Sequence, residues 1–376
     1  MKNNAIVRTT TTTMDTVGSA LYISKLCEKY LFIILTPTSQ PILKQWQKYT
    51  IVILMFLSSC RFFYYAALPS GAIERHVKAG DLFVAFGIDT AFSNIPCAAL
   101  CLQSALILTV QLYLSRYKPS VIGNLQEICL TSLQHQRHLQ MLIKITRIVS
   151  AGVQIVICAA VTFCVQFVLR NFQIEYWSTA AQITLSTLMY IFAAYQIFMS
   201  QYLLLLLLGA SVKVASDQVD QTSLQVNADG QLLVKLQTLD RKFVQIRALN
   251  AYWKTPLLIT MVCTGGAMSI SLSMVILADM PTLLRCVLLL AALYWFAVCS
   301  LMVLVPAGLH SKVKACHRIL VKLNEKKLRY GHRFKLSTFL KRFEKLRLIT
   351  MYDVTPVSYA LYREVSDLLI PCQFYS

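Results

Sequence analysis

Six blocks of 20 or more nearly uncharged residues run through this chain, and they decide what it can become. They fall at about Tyr49–Leu68, Phe83–Leu114, Ile148–Val168, Gln182–Gly209, Pro256–Ala278 and Pro281–Pro306. A stretch of about 20 apolar residues crosses a hydrocarbon core of about 30 Å as a helix. In lipid each backbone N–H and C=O must be bonded internally, so such a block is a helix or a strand of a closed barrel. These runs are continuous and lack in/out alternation, which excludes the barrel. Only 14% of residues are charged, against roughly a quarter in water-soluble chains. The fold class is all-α, a polytopic membrane protein. A weaker seventh segment, Ile349–Phe374, completes the expected set of seven transmembrane helices.

The net charge of +19 is a statement about topology. Residues 1–48, 115–147, 212–255 and 307–348 hold 30 of the 36 Lys and Arg, whereas the loops 69–82, 169–181 and 279–280 hold three. Basic residues are retained on the cytoplasmic side, so the N-terminus is expected inside and the C-terminus outside. The basic segments then face the cytoplasm and anionic lipid, and nucleic acid is not an expected partner. The expected organisation has a cytoplasmic N-terminal segment over 1–48. A six-helix transmembrane bundle follows over 49–306, with cytoplasmic loops 115–147 and 212–255. A basic cytoplasmic helical connection over 307–348 leads to the seventh helix over 349–376. No secretory signal is visible, since residues 1–18 are polar.

Two cytoplasmic segments have helical patterning. Residues 310–329 read as a continuation of the sixth span, and in 337–348 Phe339, Leu340, Phe343 and Leu346 recur at helical spacing among basic residues. Ser337 is the expected cap of that second helix. Both a lipid-surface helix and a subunit contact fit this pattern.

Enzyme chemistry finds no residues. There is no phosphate-cradling glycine loop, HExxH or nucleophile elbow. His135 and His138 lack a third nearby ligand, and no CxxC pair occurs, so neither a metal nor another cofactor is expected. Most of the 12 cysteines lie in the apolar blocks as small core residues.

Charges within spans are costly and face protein or water. Arg61 and Asp89 lie in the outer halves of two antiparallel spans, where they are placed to pair or to snorkel separately to the interface. The last segment carries Arg363, Glu364 and Asp367 among apolar residues. Copies of Glu364 and Asp367 around an axis would give carboxylate rings that favour cations, or Arg363 and Asp367, four apart, neutralise each other.

The C-terminus reads Ser366-Asp367-Leu368-Leu369-Ile370-Pro371-Cys372-Gln373-Phe374. It resembles the closing signature of arthropod gustatory receptors, Thr-Tyr, five mostly hydrophobic residues and Gln-Phe. Gln373 and Phe374 match directly and Ser366 conservatively, while Asp367 stands for the tyrosine and Pro371 interrupts the apolar run. The layout of seven spans, an inside N-terminus and short external loops is similar to the wider insect gustatory and odorant receptor superfamily.

That resemblance implies a chemosensory receptor in the plasma membrane, a ligand-gated cation channel assembled as a homo- or hetero-tetramer and engaged in signal transduction. The last helix would line the pore, with Gln373 and Phe374 at its constriction. A small organic ligand, a tastant, would bind in the outer half of each subunit. Candidate lining residues there are Phe92, Phe163, Gln166, Tyr190, Ser271 and Tyr294, with Trp295 deeper, a mixture of apolar walls and a few polar groups; ordinary interhelical packing is the other reading of each and is expected for more than half of them. A secondary transporter of a small solute is the alternative from another class.

Overall fold

The structure, a computed structural model, describes residues 42–69, 73–86, 90–118, 136–171, 177–224, 232–277, 282–325, 330–344, 349–351, 355–356 and 358. In chain order these form α1 (Ile42–Ala67), α2 (Ile73–Ala79), a 3₁₀ turn (Leu82–Phe86), α3 (Thr90–Tyr117), α4 (Gln136–Asn171), α5 (Trp177–Leu224), α6 (Leu232–Leu277), α7 (Thr282–Glu325) and α8 (Tyr330–Glu344). Two short strands follow, β1 (Thr350–Met351) and β2 (Thr355–Pro356), paired antiparallel with Thr350 opposite Pro356. Six of the helices, α1 and α3 to α7, are long and apolar enough to cross a membrane.

The last three of these exceed what a bilayer needs. α5, α6 and α7 have 48, 46 and 44 residues, about 70 Å each at 1.5 Å per residue. More than half of that length therefore continues beyond a core of about 30 Å. The continuation is a helical stalk. On α6 the buried positions Leu236, Leu239, Phe243, Ile246, Asn250, Trp253 and Leu257 alternate spacings of three and four, the pattern of a coiled-coil seam. Leu309, Val313, Cys316, Leu320 and Leu323 of α7 repeat it. α8 closes the bundle with Leu336, Phe339 and Leu340, and Phe339 stacks on Phe243 at 5.9 Å between centroids. Arg241, Arg247, Lys314 and Arg318 lie on the exposed faces of the same helices. Outside lipid this seam is held by removal of apolar surface from water, whereas the spans associate through shape and polar contacts.

Several boundaries differ from the sequence expectation. Much of the supposed loop 212–255 is stalk, because its basic residues decorate one face of helices whose other face is apolar. The second span begins as a 3₁₀ turn at Leu82, and its α-helix starts only at Thr90. Ser337 lies within α8, which starts at Tyr330. The final segment opens with the β1–β2 hairpin, in keeping with the β-branched Thr350 and Thr355, the second of which is held extended by Pro356 after it. Residues 357 and 359–376 lie outside the described set.

Candidate functional site

The polar groups of the bundle gather at three levels. The first is at the end where α1 finishes and α5 begins. There the short segment after α1 folds back as a plug. α2 ends in a Schellman motif: the Asp81 N–H donates to His76 O and the Gly80 N–H to Val77 O, both at 2.9 Å. Gly80 supplies the left-handed backbone this needs, φ 83°. Asp81 then caps the 3₁₀ turn, its Oδ1 accepting the Phe83 N–H at 3.0 Å.

The same carboxylate is the centre of a buried cluster. Its Oδ2 lies 3.0 Å from His76 Nδ1 and accepts the Asn94 amide of α3 at 3.0 Å. Its Oδ1 also accepts the Tyr190 hydroxyl of α5 at 3.2 Å. Four donor groups converge on one carboxylate, which has about four lone-pair sites. Burial pushes the Asp81 carboxyl above its ordinary value, and the Phe83 N–H, His76 and Asn94 offset this only in part. His76 Nε2 is 3.3 Å from Pro69 O. Phe62 and Phe83 stand edge-on to Tyr190 at 5.0 and 5.6 Å.

Arg61 clasps the plug from the other side. Its Nε donates to the Tyr65 hydroxyl, and its Nη2 to Ala79 O at 3.1 Å, Ser186 Oγ at 2.6 Å and Gln182 Oε1 at 3.2 Å. The Ala79 carbonyl is at the C-terminus of α2, where a cation is favoured. Tyr65 is buried and also donates to Ala79 O.

The second level is mid-bundle. Thr264 of α6 donates to Gln103 of α3 at 2.7 Å and accepts from Gln201 of α5 at 3.4 Å, and Gln111 of α3 donates to Tyr252 of α6 at 3.2 Å. The third level joins the stalk to the last segment. Asn250, in the α6 seam, accepts both the Thr350 N–H at 2.8 Å and its hydroxyl at 3.2 Å. A buried backbone donor without its acceptor costs about 1–3 kcal/mol. Asn250→Leu is accordingly expected to lower thermal stability and to expose the hairpin to protease before the spans unfold. Limited proteolysis with mass mapping checks this; cleavage near 350–356 at the wild-type rate would refute the anchor.

Of the residues singled out from sequence, Tyr190 joins the Asp81 cluster. Tyr294 and Trp295 belong with Tyr190 to one apolar cluster formed by α1, α3, α5, α6 and α7, and Tyr294 also packs on Phe198 at 5.3 Å. Ser271 is fully buried. The Ser271 hydroxyl and the Trp295 indole N–H are both buried without a hydrogen-bond partner among the described residues. Phe163 and Gln166 are exposed on α4, away from that cluster. Phe92 lies in the first turn of α3, its side chain outside the described set, as are Asp89, Glu364, Asp367, Gln373 and Phe374. His76 and Asp81 were not expected; the signal for them is Gly80-Asp81 after a short amphipathic run, a helix stop followed by a capping acid.

Six membrane-capable helices make this a multi-pass membrane protein, and its fold is that of solved insect olfactory receptors. No family model matches the chain, and no curated protein sequence matches it. The insect olfactory receptor OR5 from Machilis hrabei is similar in structure, with a TM-score of 0.61 at 11% sequence identity over 94% of this chain and 97% of that one. The structure of that receptor in complex with eugenol gives a TM-score of 0.61 at 13% identity with the same coverage.

Proposed function

We propose that this chain is a chemosensory receptor subunit of gustatory type, a ligand-gated cation channel that assembles as a homo- or hetero-tetramer in the plasma membrane. The observation that carries this reading is the agreement in fold with an insect olfactory receptor over nearly the whole of both chains. A likeness confined to the spans would fit many membrane proteins, but this one includes the stalk. The C-terminal Gln373-Phe374 and its spacing to Ser366 favour the gustatory branch.

In this reading the N-terminus and the stalk are cytoplasmic, and the plug faces outward. The ligand is a small organic molecule, as eugenol is for the receptor from Machilis hrabei. It would sit near Tyr190, Tyr294 and Trp295, where the indole N–H and the Ser271 hydroxyl are buried hydrogen-bonding groups without a partner among the described residues. A ligand carrying an acceptor oxygen suits that donor. Ser271 is on α6, whose stalk holds Thr350 through Asn250, and Tyr294 and Trp295 are on α7, whose stalk packs against that of α6. Ligand binding that shifts α6 or α7 therefore has a mechanical route to the segment that would line the pore, with Glu364 and Asp367 as cation-attracting rings and Gln373 and Phe374 as the gate.

The test is whole-cell current under a panel of sugars, bitter compounds and volatile organics, in wild type, Gln373→Ala and Glu364→Gln. Ligand-evoked cation current is expected, with leak raised by Gln373→Ala and cation selectivity reduced by Glu364→Gln. Current unaltered by both substitutions would remove the last segment from the pore. Uptake of a solute driven by an ion gradient, without such current, would favour the transporter.

A further inference from the structure

We propose that the plug is latched by one bound proton, held between His76 and Asp81, and that the latch loosens as the pH rises. The His76 ring has an oxygen at each of its nitrogens. Nε2 lies 3.3 Å from the Pro69 carbonyl oxygen, which can only accept, so Nε2 carries a hydrogen. Nδ1 lies 3.0 Å from Asp81 Oδ2, and that contact needs a hydrogen too. Phe83, Asn94 and Tyr190 already donate to the same carboxylate. Such donors favour its ionised form, which puts the shared hydrogen on the ring. The pair is then an imidazolium on a carboxylate, neutral as a whole, with side chains 1% and 0% exposed.

Without that proton the arrangement conflicts with itself. Whichever ring nitrogen lost its hydrogen, a lone pair would face an oxygen. The carboxylate charge would also stay buried without the cation beside it, a costly state. The other titratable or charged groups around the pair, among the described residues, come from every neighbouring element. Arg61 and Tyr65 of α1 reach the Ala79 carbonyl, Cys97 of α3 and Cys164 of α4 pack close by, and Tyr190 of α5 donates to Asp81. Glu74, Arg75 and Lys78 are on the exposed face of α2, where Glu74 and Lys78 pair. Arginine keeps its charge throughout, and tyrosine and cysteine side chains ordinarily ionise only above about pH 8. Near neutrality the bridging proton is the one that changes.

The direction follows from counting protons. In an unfolded plug, imidazole loses its second proton near about pH 6.5 and aspartate its only one near about 3.9. At neutral pH the released pair therefore holds one proton and the latched pair two. Latching takes up a proton, so it weakens as pH rises, about tenfold per pH unit until the latched pair itself lets go. The upward push of burial on the Asp81 carboxyl has the same sign. In the proposed function the plug faces outward and the proton comes from outside; that sidedness rests on the proposed function, whereas the latch does not.

Hydrogen exchange of the full chain in micelles tests this, read on peptides covering residues 76–86 between about pH 6 and 9 and corrected for the intrinsic rate. Wild-type plug opening is expected to rise about tenfold per unit above about pH 7, while stalk peptides around Phe243 keep constant protection. His76→Gln retains a donor for Asp81 but cannot titrate, so its plug should open more at neutral pH and show no slope. Nitrogen NMR of wild type labelled at histidine should show, among its six rings, a doubly protonated one at about pH 8, where free imidazole is neutral. The two wild-type measurements decide the matter if His76→Gln does not fold. A flat wild-type profile, a slope that survives in His76→Gln, or the lack of a doubly protonated ring would each overturn the latch. Neither readout uses ligand or current, so its failure is distinct from failure of the channel reading.

Discussion

Asp81→Ala is expected to be among the most damaging single substitutions in this chain, lowering stability by about 3 kcal/mol or more. The carboxylate accepts from Phe83, His76, Asn94 and Tyr190, and His76, Asp81 and Asn94 are each at most 1% exposed. Alanine leaves these donors facing a void of apolar character, and each unsatisfied buried donor costs about 1–3 kcal/mol. The net loss is smaller than the sum because burial of the charge is itself costly, as the upward push on the Asp81 carboxyl shows. Asp81→Asn removes that charge but turns one acceptor into a donor aimed at other donors, so an intermediate loss is expected. Thermal unfolding of the purified protein in micelles checks the order, wild type above asparagine above alanine. An alanine variant as stable as wild type would mean that the cluster does not hold the plug.

Gly80→Val is expected to be nearly as severe, for a different reason. A left-handed backbone costs a residue with a Cβ roughly 1–2 kcal/mol, and more for one that is β-branched. Packing adds to this. A Cβ on Gly80 would stand 2.5 Å from Ser186 Oγ and 2.8 Å from the Gln182 carbonyl oxygen of α5. The hydroxyl can turn away, but the carbonyl is part of the helix and cannot. Overpacking of this kind costs about 1–3 kcal/mol. Gly80→Ala should therefore also destabilise, and adding Ser186→Ala should recover only a part, since the backbone contact and the φ of 83° remain. Size-exclusion profiles of fluorescently tagged variants give the readout. Full recovery in the double variant would place the whole cost on the hydroxyl.

These two neighbours show what the sequence discloses and what it hides. The six membrane-capable helices are legible because a continuous apolar run has one structural meaning in lipid. Their true lengths are not. Counting Lys and Arg for topology treats residues 232–255 as a loop, yet Arg241 and Arg247 line the wet face of a helix whose other face is the Leu236–Leu257 seam. Basic charge bears on the side of the membrane, and periodicity on the presence of a helix. The site divides in the same way. Tyr190 is visible from sequence as an aromatic hydroxyl in the outer half of a span. His76 and Asp81 are hidden, because their burial depends on Gly80 turning the chain back beneath α5, a tertiary consequence of one backbone angle. Arg61 is visible as an intramembrane charge. Its neutral partners on α5 lie more than 120 positions away, and no local pattern announces them.

In the proposed function this chain opens a passive path for cations when a small organic molecule binds. Its most direct test uses purified protein in liposomes carrying a potassium gradient, with cation flux followed as ligand is added at zero and at imposed voltage. The expected result is flux that starts on ligand addition, reverses sign where the voltage balances the gradient, and is reduced by Trp295→Ala. Ligand accumulated against its own gradient, with no cation flux that follows voltage in this way, would contradict the account.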